Sequence, residues 1–403
     1  MKMRPSVAIG LLAPLIALTA CGGTDNSGSD ASTSGSGGSA KKQEITIGVS
    51  SIQSGPAASS GLSMDCTVKA YLEDANKSGG VNGVTFKVLS RDHQYDPSRA
   101  AAIAREFVSD DAFLMLTDGT ATMKAAIPII KRKNMPIFAT ADGAVFTPPE
   151  YESMFGINPA YGREAAGGAK FILDELGLKQ TAIAYLNSAA GEPAAKAFPA
   201  YVEANGGKVL ASEPIAATNT DYSAQANKLK ASGAEVVYSF LLDTGLAALQ
   251  KAADGIGYHP TWVSWFPAYT PSYLDLAGPL AEGTYVSQFA TPLSKTEDPA
   301  VSTYLKVMEP TCKDAIKAQA AQSASSFAAA ILAGVKKATD GGKELTRESF
   351  VQSIQGADQE FGLTPSVTWD KTTHAGATKA AMYQIKGGAL VSVTDYQTLP
   401  EVK

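Results

Sequence analysis

Few stretches of this chain carry residues at a spacing that could do chemistry. The most suggestive is Asp118-Gly119-Thr120, which ends the apolar run Phe113-Leu-Met-Leu116 and precedes a helical stretch from Ala121 to Lys133. Met123, Ile127 and Ile130 fall near one face of that helix. Glycine lets the backbone approach a bound group closely, and Thr120, read as the helix N-cap, stands beside N–H groups that have no partner in their own helix. Such groups favour an anion, for instance a carboxylate. A second short strand, Pro136-Ile-Phe138, stops in Ala139-Thr140-Ala141-Asp142-Gly143. In an open parallel sheet, ligands bind where loops leave the carboxyl ends of strands. The stretch as a whole is suited to holding a small molecule, not to transforming one.

Other clusters have plainer uses. Asp92 and Asp96 could form a carboxylate pair for acid–base work, but one ends a strand and the other caps the helix that Pro97 opens. Lys131-Arg132-Lys133 puts positive charge at a helix end, where the dipole favours it. His93, His259 and His374 are far apart and none has a second His or a Cys at ligand spacing, so neither a metal nor a cofactor is expected. There is no G-x-S-x-G elbow, no G-x-x-x-x-G-K-[ST] loop and no H-E-x-x-H, and the chain is not expected to be an enzyme. A net charge of −5 spread along 403 residues, with no basic block, argues against a nucleic-acid partner.

The elements that must position these residues begin after a targeting segment. Lys2 and Arg4 precede an apolar core, Val7 to Leu18, that is short for a membrane span. Leu18-Thr19-Ala20-Cys21 resembles the bacterial lipoprotein box, which implies a signal peptide over 1–20 and lipidation of Cys21; an ordinary signal with an incidental Cys is the alternative. Residues 21–42 read as lipid anchor and flexible tether, being rich in Gly, Ser, Thr, Ala and Asp. The Ala-rich run Ala315 to Val335 is interrupted by Lys317, Gln319 and Gln322 and is not expected to span a bilayer.

From Glu44 onward strands and helices alternate. Ile45, Ile47 and Val49 form a strand, Gly61 to Asn76 a helix, and Val84 to Leu89 a second strand. The alternation resumes in Thr181 to Leu186 and continues to Ala253, which predicts parallel sheets covered by helices. The number of units exceeds one comfortable sheet, so two lobes are expected. Asp314 to Thr339 reads as one long helix, followed by Arg347 to Ile354 and strand-like pieces around Ser366 to Trp369 and Ala380 to Ile385.

Several stretches resemble the leucine/isoleucine/valine-binding family of type I periplasmic solute-binding proteins. They are Ser54-Gly55-Pro56 with Gly61, Asn76-Lys-Ser-Gly79-Gly80-Val-Asn-Gly83, Asp92 with Asp96-Pro97, and Asp221-Tyr222-Ser223 running to Leu229-Lys230. The resemblance implies an α/β, type I periplasmic-binding-protein fold of two doubly wound lobes with a three-crossing hinge. Lobe 1 would be 43–158 plus 288–365 and lobe 2 would be 159–287 plus 366–403, with crossings near Asn158, Ser287 and Pro365. The family grips a ligand carboxylate at positions that fall on Thr120 and on Ala141, Asp142 and Gly143, beside Gly119. Asp142 departs from that pattern, since its charge would oppose an anion unless it points away or meets a ligand amine. Positions that commonly carry aromatic rings are here Ser60, Ala190 and Leu241, and the acid that meets a ligand ammonium is replaced by Phe266. Asp243 and Tyr161 are candidates to supply the missing charge and ring.

The resemblance also implies a function. It is capture of a small carboxylate by hinge closure for an ABC importer, at the extracytoplasmic face of the bacterial cell membrane. The partners would be a membrane permease and the N-terminal lipid, and the chain a monomer. A ligand-sensing receptor for a membrane signalling partner is the alternative. Two ligand classes stay open: a hydrophobic or branched-chain amino acid, and a bulkier aromatic or apolar carboxylate suited to Trp265, Phe266 and Tyr269. With Cys21 acylated, Cys66 and Cys312 remain as a pair in an oxidising compartment, where a disulfide is expected and two buried thiols are the alternative.

Overall fold

The computed structural model describes residues 42–401 apart from Pro56, Ala57, Ser294 and Thr372. The signal segment, Cys21 and the tether lie outside these. The first lobe is built from β1 (Gln43–Ser51), α1 (Ala58–Lys77), β2 (Val84–Asp92), α2 (Pro97–Ser109), β3 (Leu114–Asp118), α3 (Thr120–Ile130), β4 (Ile137–Thr140) and β5 (Met154–Gly156). Its sheet is parallel throughout, in the order β2-β1-β3-β4-β5. Every residue of β3 is buried, as expected of a strand covered on both faces. Leu114 and Leu116 join one core with Met64, Val68 and Leu72 of α1, while Met115 joins another with Phe107 of α2 and Met123 of α3. The two-residue period of the strand thus divides its side chains between two helix layers.

The second lobe runs through α4 (Tyr161–Asp174), β6 (Gln180–Leu186), α5 (Glu192–Ala204), β7 (Lys208–Ile215), α6 (Ser223–Ser232), β8 (Val236–Phe240), α7 (Asp243–Gly255), β9 (Thr261–Ser264), α8 (Pro271–Ala277) and β10 (Tyr285–Gln288). The chain then returns to the first lobe as α9 (Pro299–Met308), α10 (Gln319–Ala338), α11 (Arg347–Ile354) and the hairpin β11 (Gly356–Phe361) and β12 (Thr364–Trp369). It ends in the second lobe with β13 (Lys379–Lys386), β14 (Ala389–Ser392) and β15 (Gln397–Thr398). The second sheet has the order β14-β13-β10-β9-β8-β6-β7, parallel from β7 to β10 and antiparallel beyond, with β15 paired to β13.

Three features differ from the sequence reading. The stretch expected as one helix from Asp314 to Thr339 is a 3-10 turn at Lys313–Ala315 and then α10, separated by an extended Ala318. The hairpin β11–β12 was not foreseen. Pro365 lies inside β12, and Trp369 at its end packs against Phe138 and Phe155 at 5.7 and 5.1 Å between ring centroids. That fully buried ring holds the strand in the first lobe, so the third crossing comes after Trp369 and not near Pro365. There it touches the first crossing: Ala377 N–H donates to the Ile157 carbonyl at 2.9 Å. A Cβ on Gly376 would lie 2.1 Å from the Ile157 carbonyl carbon, so only glycine permits this approach. Cys66 in α1 and Cys312 after α9 form a disulfide with a Cα separation of 6.0 Å.

Candidate functional site

Between facing ends of the two sheets lies a cavity of about 80 Å³. Its first-lobe side includes Ile52 just after β1, Asp118 at the end of β3, and Thr140 at the end of β4; its second-lobe side includes Leu186 at the end of β6, Leu242 after β8 and Trp265 after β9. All six sit at carboxyl ends of strands, where loops rather than ladder hydrogen bonds decide the lining.

The junction of β3 and α3 forms the polar wall. Gly119, not Thr120, is the N-cap of α3, with φ +85° and ψ 134°. A Cβ there would lie 2.8 Å from Thr122 Oγ1 and 2.9 Å from the Tyr95 ring, so glycine is required by conformation and by space. Thr120 begins the helix and is buried; its hydroxyl oxygen accepts from Asp142 N–H at 3.1 Å, which leaves the hydroxyl hydrogen for another acceptor. The first N–H groups of α3 have no acceptor within their own helix.

Asp118 is the feature that sequence reasoning missed. It is the one charged side chain of the lining among the described residues. Oδ2 accepts from Ile52 N–H at 3.3 Å, and Oδ1 lies 2.7 Å from Nε2 of the fully buried His93. Because His93 Nδ1 accepts from Tyr95 N–H at 3.0 Å, the imidazole proton belongs on Nε2, facing Asp118. Nearby, Asn158 donates its amide N–H to Tyr161 Oη at 3.2 Å, while its Oδ1 is buried with no partner among the described residues. Asp118 and Asn158 both belong to the lining. The signal available in the sequence was the carboxylate at the last position of a buried strand, read there only as part of a turn.

The opposite wall is apolar. Trp265 and Phe240 stack with centroids 3.6 Å apart, Tyr161 meets Trp265 edge-on at 5.1 Å, and Trp265 Nε1–H donates to the Leu241 carbonyl at 2.6 Å. Phe266, Leu186, Leu242 and Ala190 continue this surface.

Of the residues picked from sequence, Ser60, Gly119, Thr120, Ala190, Phe266 and Tyr161 line the cavity, whereas Ala141, Asp142, Gly143, Leu241 and Asp243 do not. Asp142 points away: Oδ1 accepts from Ala144 N–H at 3.1 Å and from Tyr161 N–H at 2.8 Å, tying the loop after β4 to the first turn of α4. Burial pushes its carboxyl up, against the lowering effect of those two N–H groups. Asp243 likewise accepts from Thr244 N–H and the Thr270 hydroxyl at 2.8 and 2.9 Å, and burial raises it too. Leu241 packs inward, so its neighbour Leu242 faces the cavity. Tyr269 lies on a separate cavity and donates to the Gly388 carbonyl at 3.0 Å. The Asp92 carboxylate is structural: it accepts from Gln53 N–H, Gln94 N–H and the Ser54 hydroxyl, and Asp96 caps α2. Among the described residues no group of three or more His, Cys, Asp or Glu could hold a metal, and no helix is long and apolar enough to cross a membrane.

Comparison with known proteins agrees with this architecture. Residues 44–389 match the family described as periplasmic binding protein. Leu/Ile/Val-binding protein homolog 3 of Brucella melitensis is 25% identical over 287 residues, 67% of this chain and 73% of that protein. The crystal structure of a branched-chain amino acid ABC transporter protein from Thermus thermophilus with bound valine superposes with a TM-score of 0.81 at 20% identity, covering 89% of this chain and 97% of the other. A fatty acid ABC transporter substrate-binding protein from Thermomonospora curvata gives a TM-score of 0.77 at 21% identity, covering 88% and 92%. With parallel strand ends meeting across a cavity and a family match over most of its length, the chain belongs to the family of type I periplasmic solute-binding proteins that includes the leucine/isoleucine/valine-binding proteins.

Proposed function

We propose that this protein captures a small zwitterionic amino acid with an apolar side chain and delivers it to an ABC importer. The observation that carries the reading is Asp118, the one charged side chain of the lining among the described residues, set beside the N-terminus of α3 and across from an aromatic wall. The ligand carboxylate would accept from the Thr120 hydroxyl and the free N–H groups of α3, the ammonium would meet Asp118 and Asn158 Oδ1, and the side chain would lie on Trp265 and Phe266. At roughly 10–15 Å³ for each water-sized group, a cavity of about 80 Å³ holds about five to eight such groups, the scale of a small amino acid such as valine. The contacts are divided between the lobes, so a ligand completes them only when the cleft is closed and shifts the population that way. Lipidation at Cys21 would keep the protein beside its permease. It would capture its ligand without catalysis.

Calorimetry with leucine and valine against their deaminated analogues, 4-methylpentanoate and 3-methylbutanoate, tests the ligand. Leucine or valine should bind and the deaminated acids should bind far more weakly; equal or tighter binding of the acids overturns the zwitterion reading in favour of an apolar carboxylate. Labelled palmitate should enter the wild type and not Cys21→Ser.

A further inference from the structure

Behind the aromatic wall lies a second buried carboxylate, Glu164, in the first turn of α4 and only 1% exposed. One oxygen, Oε1, accepts from Phe266 N–H at 3.3 Å and from the Ser287 hydroxyl. Phe266 lines the ligand cavity, and Ser287 lies in β10, one residue before the chain leaves for the first lobe. Three residues before Glu164, Tyr161 N–H is held by Asp142 of the first lobe. A single carboxylate thus joins the ligand wall to a crossing strand, on a helix whose start is fixed from the other lobe.

Among the described residues, its surroundings supply no counter-charge. Asp142 and the buried phenols of Tyr161 and Tyr238 face it, and Tyr238 Oη and Glu164 Oε2 have no partner among the described residues. A cavity of about 40 Å³ runs from Glu164 and Ser287 past Lys170 to the exposed Asp174 and Glu175, offering a route for a proton to solvent. The one cation on that route, Lys170, is paired with Asp174.

We propose, building on the ligand-capture reading, that Glu164 is a positioning residue that couples the Phe266 wall to the β10 crossing, and that loss or gain of its proton strengthens or weakens ligand capture. The ionised carboxylate accepts both hydrogen bonds in their stronger, charge-assisted form and adds negative charge behind a site that holds an ammonium. Capture should therefore be tighter when Glu164 is ionised. Burial raises its carboxyl from 4.5 to about 7, against the lowering effect of the Ser287 and Phe266 donors, so the change falls near neutral pH. Stability has the opposite sign. Between those two values the folded protein keeps a proton that the unfolded chain has lost, so stability falls as pH rises through that window. Ligand capture and fold stability pull the same proton in opposite directions.

The test has two arms. In ligand-free protein, intrinsic fluorescence, to which Trp265 beside Phe266 contributes, should show a transition near neutral pH that Glu164→Gln abolishes. Ser287→Ala, which removes a donor that favours ionisation, should move the transition to higher pH. In the second arm, leucine affinity of the wild type should rise roughly fivefold from about pH 6 to about pH 8, and Glu164→Gln should be flat over that range. Glu164→Leu, which leaves two buried donors unpaired, should bind roughly tenfold to a hundredfold more weakly than Glu164→Gln. A fluorescence transition or pH-dependent affinity that persists in Glu164→Gln overturns the proposal. Leucine that fails to bind at any pH overturns the amino-acid reading instead, and the fluorescence arm still decides for or against Glu164.

Discussion

The two sides of the cleft are built on different physics. The first lobe presents a helix start, the hydroxyls of Ser60, Tyr95, Thr120, Thr140 and Ser323, and one carboxylate, directional groups that fix where charges sit. The second presents Trp265, Phe266, Leu186 and Leu242, which recognise area and shape and have almost no orientational demand. The first lobe is also stapled from α1 to the segment after α9 by the Cys66–Cys312 disulfide, whereas the second is held by packing, with the buried carboxylates of Glu164 and Asp243 tying Phe266 and Thr270 of the lining. Such a division lets one lobe select the head group common to a ligand class while the other sets which member of the class fits.

Substitutions can break or sharpen this contrast. The largest effect is expected from Trp265→Ala, which removes a ring 2% exposed and its hydrogen bond to Leu241: about 3–5 kcal/mol of stability, measured by denaturant unfolding, with ligand capture lost as the wall collapses. A change below about 1 kcal/mol would mean the wall is not part of the second-lobe core. Asp118→Asn should follow, with leucine affinity reduced roughly tenfold to a hundredfold in calorimetry while the much weaker binding of 4-methylpentanoate stays unchanged or improves. Parallel losses for both ligands would show that Asp118 only holds the loop at Ile52. Thr120→Val should be mildest, costing roughly fivefold for leucine and 4-methylpentanoate alike, because both present a carboxylate to the same hydroxyl. Affinity unchanged for both would remove Thr120 from the site.

Much of the scaffold was legible in the residues. Alternating apolar runs, Asp96-Pro97 and the glycine-rich turns marked strand–helix units whose bounds the structure moves by only a few positions. Local pattern is informative there because each element buries one face against the next. The site was legible only in part. Gly119 and Thr120 could be found because a strand–helix junction has a fixed geometry. Asp118, Asp142 and Asp243 could not be told apart, since all three are carboxylates near loop ends; which one faces the cavity depends on partners distant in sequence, His93, Tyr161 and Thr270. The third crossing was misplaced for a similar reason. Nothing local to Pro365 says that Trp369 will be buried against Phe138 and Phe155.

The contact at Gly376 has a consequence for how tightly this protein holds its ligand. Two crossing segments meet there backbone to backbone, with no room for even a methyl group. A side chain at this position would act as a wedge, changing the resting angle between lobes far from any group that meets the ligand. Apparent affinity depends on the fraction of molecules already able to close, so such a wedge would retune uptake without altering specificity. Small-angle scattering of ligand-free Gly376→Ala should show a changed radius of gyration alongside unchanged ranking of leucine over its analogues. An altered ranking would instead mean that the crossing reaches into the site. On this view the concentration at which the protein responds is a mechanical property of its pivot, and can drift between relatives independently of what they recognise.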